Sequence, residues 1–169
     1  SLEQFSYLRA ANFSRTGEDF LRRGLKNVVP SLWPVNGRLL SRFGDRSDPF
    51  SGEGAFHTGV DISAPTGTPV RAAADGVVFN AEYNGRYGKL VMIDHGNGMR
   101  TWYAHLSRFE VLPGQAIRRG EIVGYSGATG RVTSPHLHFE VRLGGNPVNP
   151  SPYLTRSAML QTAQSDLPF

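Results

Sequence analysis

The chain has 169 residues, enough for one compact domain, and 39% apolar with 19% charged content suits a folded soluble domain rather than a disordered tail. It contains no cysteine, which excludes disulfides and thiolate metal sites, and its net charge of +4 is that of an ordinary basic surface, open to anionic partners. No apolar run is long enough to span a membrane as a helix, and no secretion signal is visible.

The chain opens on Ser1 rather than Met, which predicts a mature or trimmed fragment and leaves room for a secretion signal in the missing part. Thr16 followed by Asp19 reads as a helix start, and Phe20, Leu21, Leu25 and Val28 recur at helical spacing. The predicted helix covers 17–28, ended by Pro30 and Pro34. Its apolar stripe is expected to dock away from any groove and to act as a connecting element. From Leu32 the rhythm changes to short strands and glycine turns. Val70–Ala73 and Gly76–Ala81 flank an Asp75-Gly76 turn. Lys89–Asp94 and Met99–Leu106 flank His95-Gly96-Asn97-Gly98, a hairpin signal. Glu121–Tyr125 and Leu137–Leu143 follow. With 20 glycines and 11 prolines, the expected fold class is all-β, mostly antiparallel, with a short N-terminal helical segment.

Five histidines punctuate these strands: His57, His95, His105, His136 and His138. Alternate residues of a strand share a face. His136, His138, Glu140 and Arg142 therefore line one side, while Leu137, Phe139, Val141 and Leu143 line the other. Two imidazoles side by side can address one small site, although paired surface histidines give the same pattern. His57 and Asp61 would stand ~13 Å apart in a straight strand. Zinc ligands lie about 2.0–2.2 Å from the metal, so a shared site demands a bend, with Gly59 at its middle. Thr101, Tyr103 and His105 are expected on one strand face, with Trp102, Ala104 and Leu106 on the other. His95 falls in the glycine turn and takes a local structural role. Two histidines and one carboxylate make a hydrolytic zinc triad with a fourth position open to water. Two further histidines suit acid–base work or stabilisation of developing charge.

Several motifs in order now identify a resemblance. They are Ser41-Arg42-Phe43-Gly44, Phe56-His57-Thr58-Gly59-Val60-Asp61-Ile62 and Ala64-Pro65-Thr66-Gly67-Thr68-Pro69-Val70, then Tyr103-Ala104-His105-Leu106-Ser107, Gly127-Ala128-Thr129-Gly130 and Ser134-Pro135-His136-Leu137-His138-Phe139-Glu140. Together they resemble the lysostaphin/LytM-type zinc endopeptidases, over about residues 33–153. The resemblance implies a β-sheet groove with Zn2+ on its floor, held by His57, Asp61 and His138. It implies that His105 and His136 are the catalytic histidines. The implied substrate is the peptide portion of bacterial peptidoglycan, and the implied location is the cell envelope, periplasmic or extracellular. Some relatives have lost ligands and only activate wall amidases; every ligand position is filled here. The loop at residues 47–54 lacks the tyrosine that some glycyl-glycine cutters carry, so a D-alanyl–diaminopimelate cross-link is preferred. The chain divides into a helical or linker segment (1–31), a peptidase domain (32–155) and a tail (156–169).

Other classes fit poorly. A non-catalytic wall-binding or activator module is the main alternative. A lipoyl or biotinyl carrier needs a lysine at a hairpin tip, and neither Lys26 nor Lys89 is so placed. Gly85-Arg86-Tyr87-Gly88-Lys89-Leu90 lacks the spacing of a phosphate loop, and no nucleic-acid partner is expected.

Overall fold

The structure is a computed structural model, and it describes residues 28–47 and 54–154. The predicted helix at 17–28 and the segment 156–169 lie outside the described residues, apart from Val28. The described residues form twelve strands: β1 (Leu39–Ser41), β2 (Gly44–Ser47), β3 (Gly54–His57), β4 (Val60–Ser63), β5 (Pro69–Arg71), β6 (Gly76–Tyr83), β7 (Lys89–Gly96), β8 (Met99–Phe109), β9 (Ala116–Ile117), β10 (Ile122–Ser126), β11 (His136–Leu143) and β12 (Asn146–Val148). Two short 3₁₀ turns, Gly85–Tyr87 and Ser151–Tyr153, complete the described elements. All strand pairings among the described residues are antiparallel, in line with the mostly antiparallel all-β expectation.

The main sheet runs β1-β4-β11-β8-β7-β6-β9, and β2 with β3 forms a separate hairpin. Alternation on β11 builds the floor of the core: Leu137, Phe139 and Val141 are fully buried. They pack with Val60 and Ile62 of β4 and Tyr103 of β8 in one apolar cluster. The hairpin expected over His95-Gly96-Asn97-Gly98 is present between β7 and β8, but Gly96 pairs with Met99 and the turn is the tighter two-residue loop Asn97-Gly98, with φ values of 53° and 76°. His95 lies one step inside β7 rather than in the turn, and it is buried. Its ring bridges the Asp75 carbonyl (2.7 Å) and the Thr101 hydroxyl (2.7 Å), a structural role as expected. Asp75-Gly76 does not join two paired strands. β5 pairs with β10, while β6 pairs with β7 and β9.

One irregularity shapes the molecule. β8 pairs with β11 from Met99 to Ala104, then with β10 from Leu106 to Phe109. The sheet forks between them, at His105, whose φ is +62°. A left-handed non-glycine residue is sparsely populated and adds a step to the strand. The face alternation expected for β8 therefore breaks. Thr101 and Tyr103 are buried towards the core, and so is Leu106, whereas Ala104 packs in the second cluster beside Tyr87 and Trp102. The predicted alternation holds from Thr101 to Ala104 and fails at His105 and Leu106, because the backbone turns over at the fork.

Candidate metal centre

β4, β11 and β8 lie side by side, and their register sets the site. Asp61 is opposite His138 across β4–β11, and His138 is opposite Ala104 across β11–β8. Directly opposed residues share a sheet face with Cβ atoms about 4.5–5.5 Å apart. His57 ends β3, and the chain turns through Thr58 and Gly59 before β4 begins. That bend brings His57 Nε2 to 3.3 Å from Asp61 Oδ2. Gly59 is required by close approach: a Cβ there would lie 2.3 Å from the Phe139 carbonyl oxygen.

One donor atom each from His57, Asp61 and His138 lies within 4.8 Å of the others. His138 Nδ1 is 2.8 Å from Asp61 Oδ1, and the His57 and His138 rings are 5.1 Å apart. His57 Nδ1–H donates to the Arg42 carbonyl at 2.8 Å, which leaves Nε2 facing the cluster. Two imidazole nitrogens and a carboxylate oxygen on one small volume are a donor set that fits a tetrahedral divalent cation with one position open.

His105 and His136 stand beside this triad, with ring centroids 5.0 Å apart and His105 6.0 Å from His138. Each has its Nδ1–H committed to a backbone carbonyl: His105 to Thr129 at 2.8 Å, His136 to Ser134 at 2.9 Å. Both Nε2 atoms are left for the site, and that of His136 is 3.6 Å from Asp61 Oδ1. All five predicted site residues are thus brought together.

The electrostatics follow from burial and carboxylates. Burial resists charging the Asp61 carboxyl, but hydrogen bonds from His138 and His57 outweigh it and hold the group well below the usual carboxylate range. Burial also disfavours charge on His138, yet Asp61 and Glu140 raise its pKa to about 9 in the metal-free protein. Burial lowers His105 to about 4, against the opposing pull of the Thr129 carbonyl, so its ring is neutral at pH 7.

Several contributors carry no signal in the sequence. The carbonyls of Arg42, Ser134 and Thr129 orient three imidazoles, and a backbone acceptor has no residue signature. Thr129 is fixed in turn by its hydroxyl, which donates to the Leu106 carbonyl (2.6 Å) and accepts from Lys89 N–H (3.0 Å). The Thr129 loop lies against Gly88, where an added Cβ would meet Thr129 backbone at 2.4 Å. Glu140 was legible by parity, but its partner Thr58 is 82 residues away in sequence.

The chain is 47% identical over 134 residues to a Neisseria meningitidis serogroup B protein named DD-carboxypeptidase/endopeptidase Mpg, a match covering 79% of this chain and 30% of that protein. It is 39% identical to the peptidoglycan DD-endopeptidase ShyA of Vibrio cholerae, covering 81% of this chain and 31% of the relative. The chain therefore spans about three-tenths of the length of these curated relatives. Among solved structures, a zinc containing peptidase from Vibrio cholerae superposes with a TM-score of 0.68 and 36% identity, over 72% of this chain and 39% of that one. The catalytic domain of lysostaphin from Staphylococcus simulans superposes with a TM-score of 0.64 and 31% identity, over 70% of this chain and 92% of that domain. The model of peptidase family M23 matches residues 55–150, more than half of the chain and all five clustered site residues, and the chain belongs to that family.

Proposed function

We propose that residues 32–155 form the catalytic domain of a zinc-dependent endopeptidase that cuts peptide cross-links of peptidoglycan in the bacterial cell envelope. The observation that carries this reading is the convergence of His57, Asp61 and His138 within 4.8 Å, beside two further imidazoles. The relatives named as DD-endopeptidases favour a D,D cross-link, such as D-alanyl–diaminopimelate, over a glycine bridge. The activator reading is disfavoured because no position of the triad is lost.

In this reading His57 offers Nε2, His138 offers Nδ1 and Asp61 offers a carboxylate oxygen to the metal. A zinc ion, when bound, polarises the scissile carbonyl and lowers the pKa of water. His105 is neutral and presents the Nε2 lone pair, which suits it to take the proton of the attacking water and return it to the leaving amine. Its left-handed backbone aims the ring from the fork, strain of a kind found at functional sites. His136, when protonated, keeps Nδ1–H on the Ser134 carbonyl and turns Nε2–H to the charge developing on the carbonyl oxygen.

Metal analysis combined with turnover tests this division of labour. His138→Ala is expected to lose zinc. His105→Ala and His136→Ala are expected to keep it and lose about 10²-fold or more in turnover on a cross-linked muropeptide. Zinc-loaded His105→Ala protein with near-normal cleavage would remove His105 from the chemistry.

A further inference from the structure

Glu140 takes no part in the chemistry above, yet its side chain is fully buried. A buried carboxylate is costly unless its oxygens are satisfied, with about four lone-pair sites to fill. Here the contacts are divided unequally in kind. Oε1 accepts from Arg142 Nε at 2.8 Å and Nη2 at 2.7 Å. Oε2 accepts from the Thr58 hydroxyl at 2.7 Å and lies 2.8 Å from His138 Nε2. Arg142 is itself fixed, with its guanidinium 4.0 Å above the Trp102 ring and Nη1 donating to the Gly145 carbonyl at 3.1 Å. Neutralising Arg142 needs only Oε1. The aim of Oε2 at His138 is a separate feature.

The two histidines of the triad face the cluster through different nitrogens. His57 uses Nε2, with Nδ1–H on a carbonyl. His138 uses Nδ1, with Nε2 on Glu140. A neutral imidazole that gives one lone pair to a cation keeps its single proton on the other nitrogen. A carboxylate can only accept, so Glu140 places that proton on Nε2 and directs the Nδ1 lone pair into the cluster. Thr58 lies in the bend between His57 and Asp61, so its hydroxyl ties the same carboxylate to the segment that carries the other two triad residues.

We propose that Glu140, held by Thr58 and Arg142, is a positioning residue that fixes Nδ1 of His138 as the nitrogen offered to the metal. The inference rests on the metal-centre reading above. Its signature is in metal affinity and in the protonation of one ring, not in turnover alone. Partners that orient metal-binding histidines typically contribute about 10- to 100-fold in affinity.

The test uses Glu140→Gln and the double variant Glu140→Leu/Arg142→Leu. The double variant removes both charges together, a change that buried ion pairs often tolerate without loss of stability. Zinc affinity is measured by competition with a chromophoric chelator, alongside melting of the metal-free proteins. Nitrogen-15 spectra of the zinc-loaded wild-type chain report which His138 nitrogen carries the proton. The expected results are a proton on Nε2 in the wild type and a 10- to 100-fold weaker zinc affinity in each variant that melts cooperatively. A His138 proton on Nδ1 in the wild type overturns the inference without any variant. So does zinc affinity within 3-fold of wild type in the folded variants while His138→Ala loses zinc. If His138→Ala also binds zinc as tightly as wild type, the metal-centre reading itself fails.

Discussion

Gly59→Ala is the substitution whose effect the structure specifies most closely. The new methyl carbon would lie 2.3 Å from the Phe139 carbonyl oxygen and 2.8 Å from Glu140 Cγ. Reaching the ~3.3 Å of a weak C–H···O contact requires the two strands to part by roughly 1 Å. The next paired residues are Val60 with Phe139 and Asp61 with His138, so the displacement passes directly into the triad. Overpacking of this kind costs about 1–3 kcal/mol. At about 2–4 °C per kcal/mol for a chain of this size, the melting temperature falls by roughly 2–12 °C. Metal sites tolerate distance errors of only about 0.2 Å, so zinc affinity is expected to drop at least ~10-fold. Gly67→Ala is the matched control. Gly67 has φ +90° with nothing within 4 Å of an added Cβ, so alanine there adds backbone strain of about 1–2 kcal/mol and nothing at the site. Scanning calorimetry of the metal-free proteins and chelator competition for zinc separate the two effects. Both variants should lose stability, and only Gly59→Ala should lose affinity. Wild-type zinc affinity in Gly59→Ala would refute the claim that this close approach sets the Asp61–His138 geometry.

Other positions give independent checks. Thr129→Val removes the hydroxyl that bonds Leu106 and Lys89, at a cost of about 1–3 kcal/mol, and loosens the carbonyl that orients His105. Zinc content should stay at the wild-type level while kcat falls; a loss of zinc in place of kcat would contradict the assignment of Thr129 to His105. Burial lowers the pKa of His95 below its usual 6.5, so the unfolded chain takes up a proton that the folded chain resists. Its contribution is intact above pH 6.5 and is lost as pH falls below it. Urea unfolding of metal-free protein at pH 7.5 and 5.5 should therefore show a larger loss for wild type than for His95→Asn, and equal losses would speak against a neutral buried imidazole.

The strands that carry the chemistry were legible because alternation is a local property. His136, His138 and Glu140 fall on one side of β11, and Leu137, Phe139 and Val141 are buried on the other, as the pattern dictates. The bend between His57 and Asp61 was legible from Gly59, although the reason for glycine there is the Phe139 carbonyl on another strand. Alternation fails on β8 at its most informative residue, His105. Parity assigned Tyr103 and His105 to one face, but the change of partner strand from β11 to β10 turns the chain over at His105. A positive φ at histidine has no local sequence signal, since the surrounding sheet imposes it. The sequence pattern puts His95 in the turn because its glycine neighbours obscure the tighter Asn97-Gly98 loop.

The most direct test is cleavage of a defined D,D-cross-linked muropeptide dimer by the purified chain, with products identified by mass spectrometry before and after chelation and zinc return. The prediction is two monomers separated by hydrolysis of the cross-link peptide bond, abolished by chelation and restored by zinc. An intact dimer with zinc-replete, folded protein, or cleavage that survives complete metal removal, would contradict a zinc endopeptidase acting on this bond.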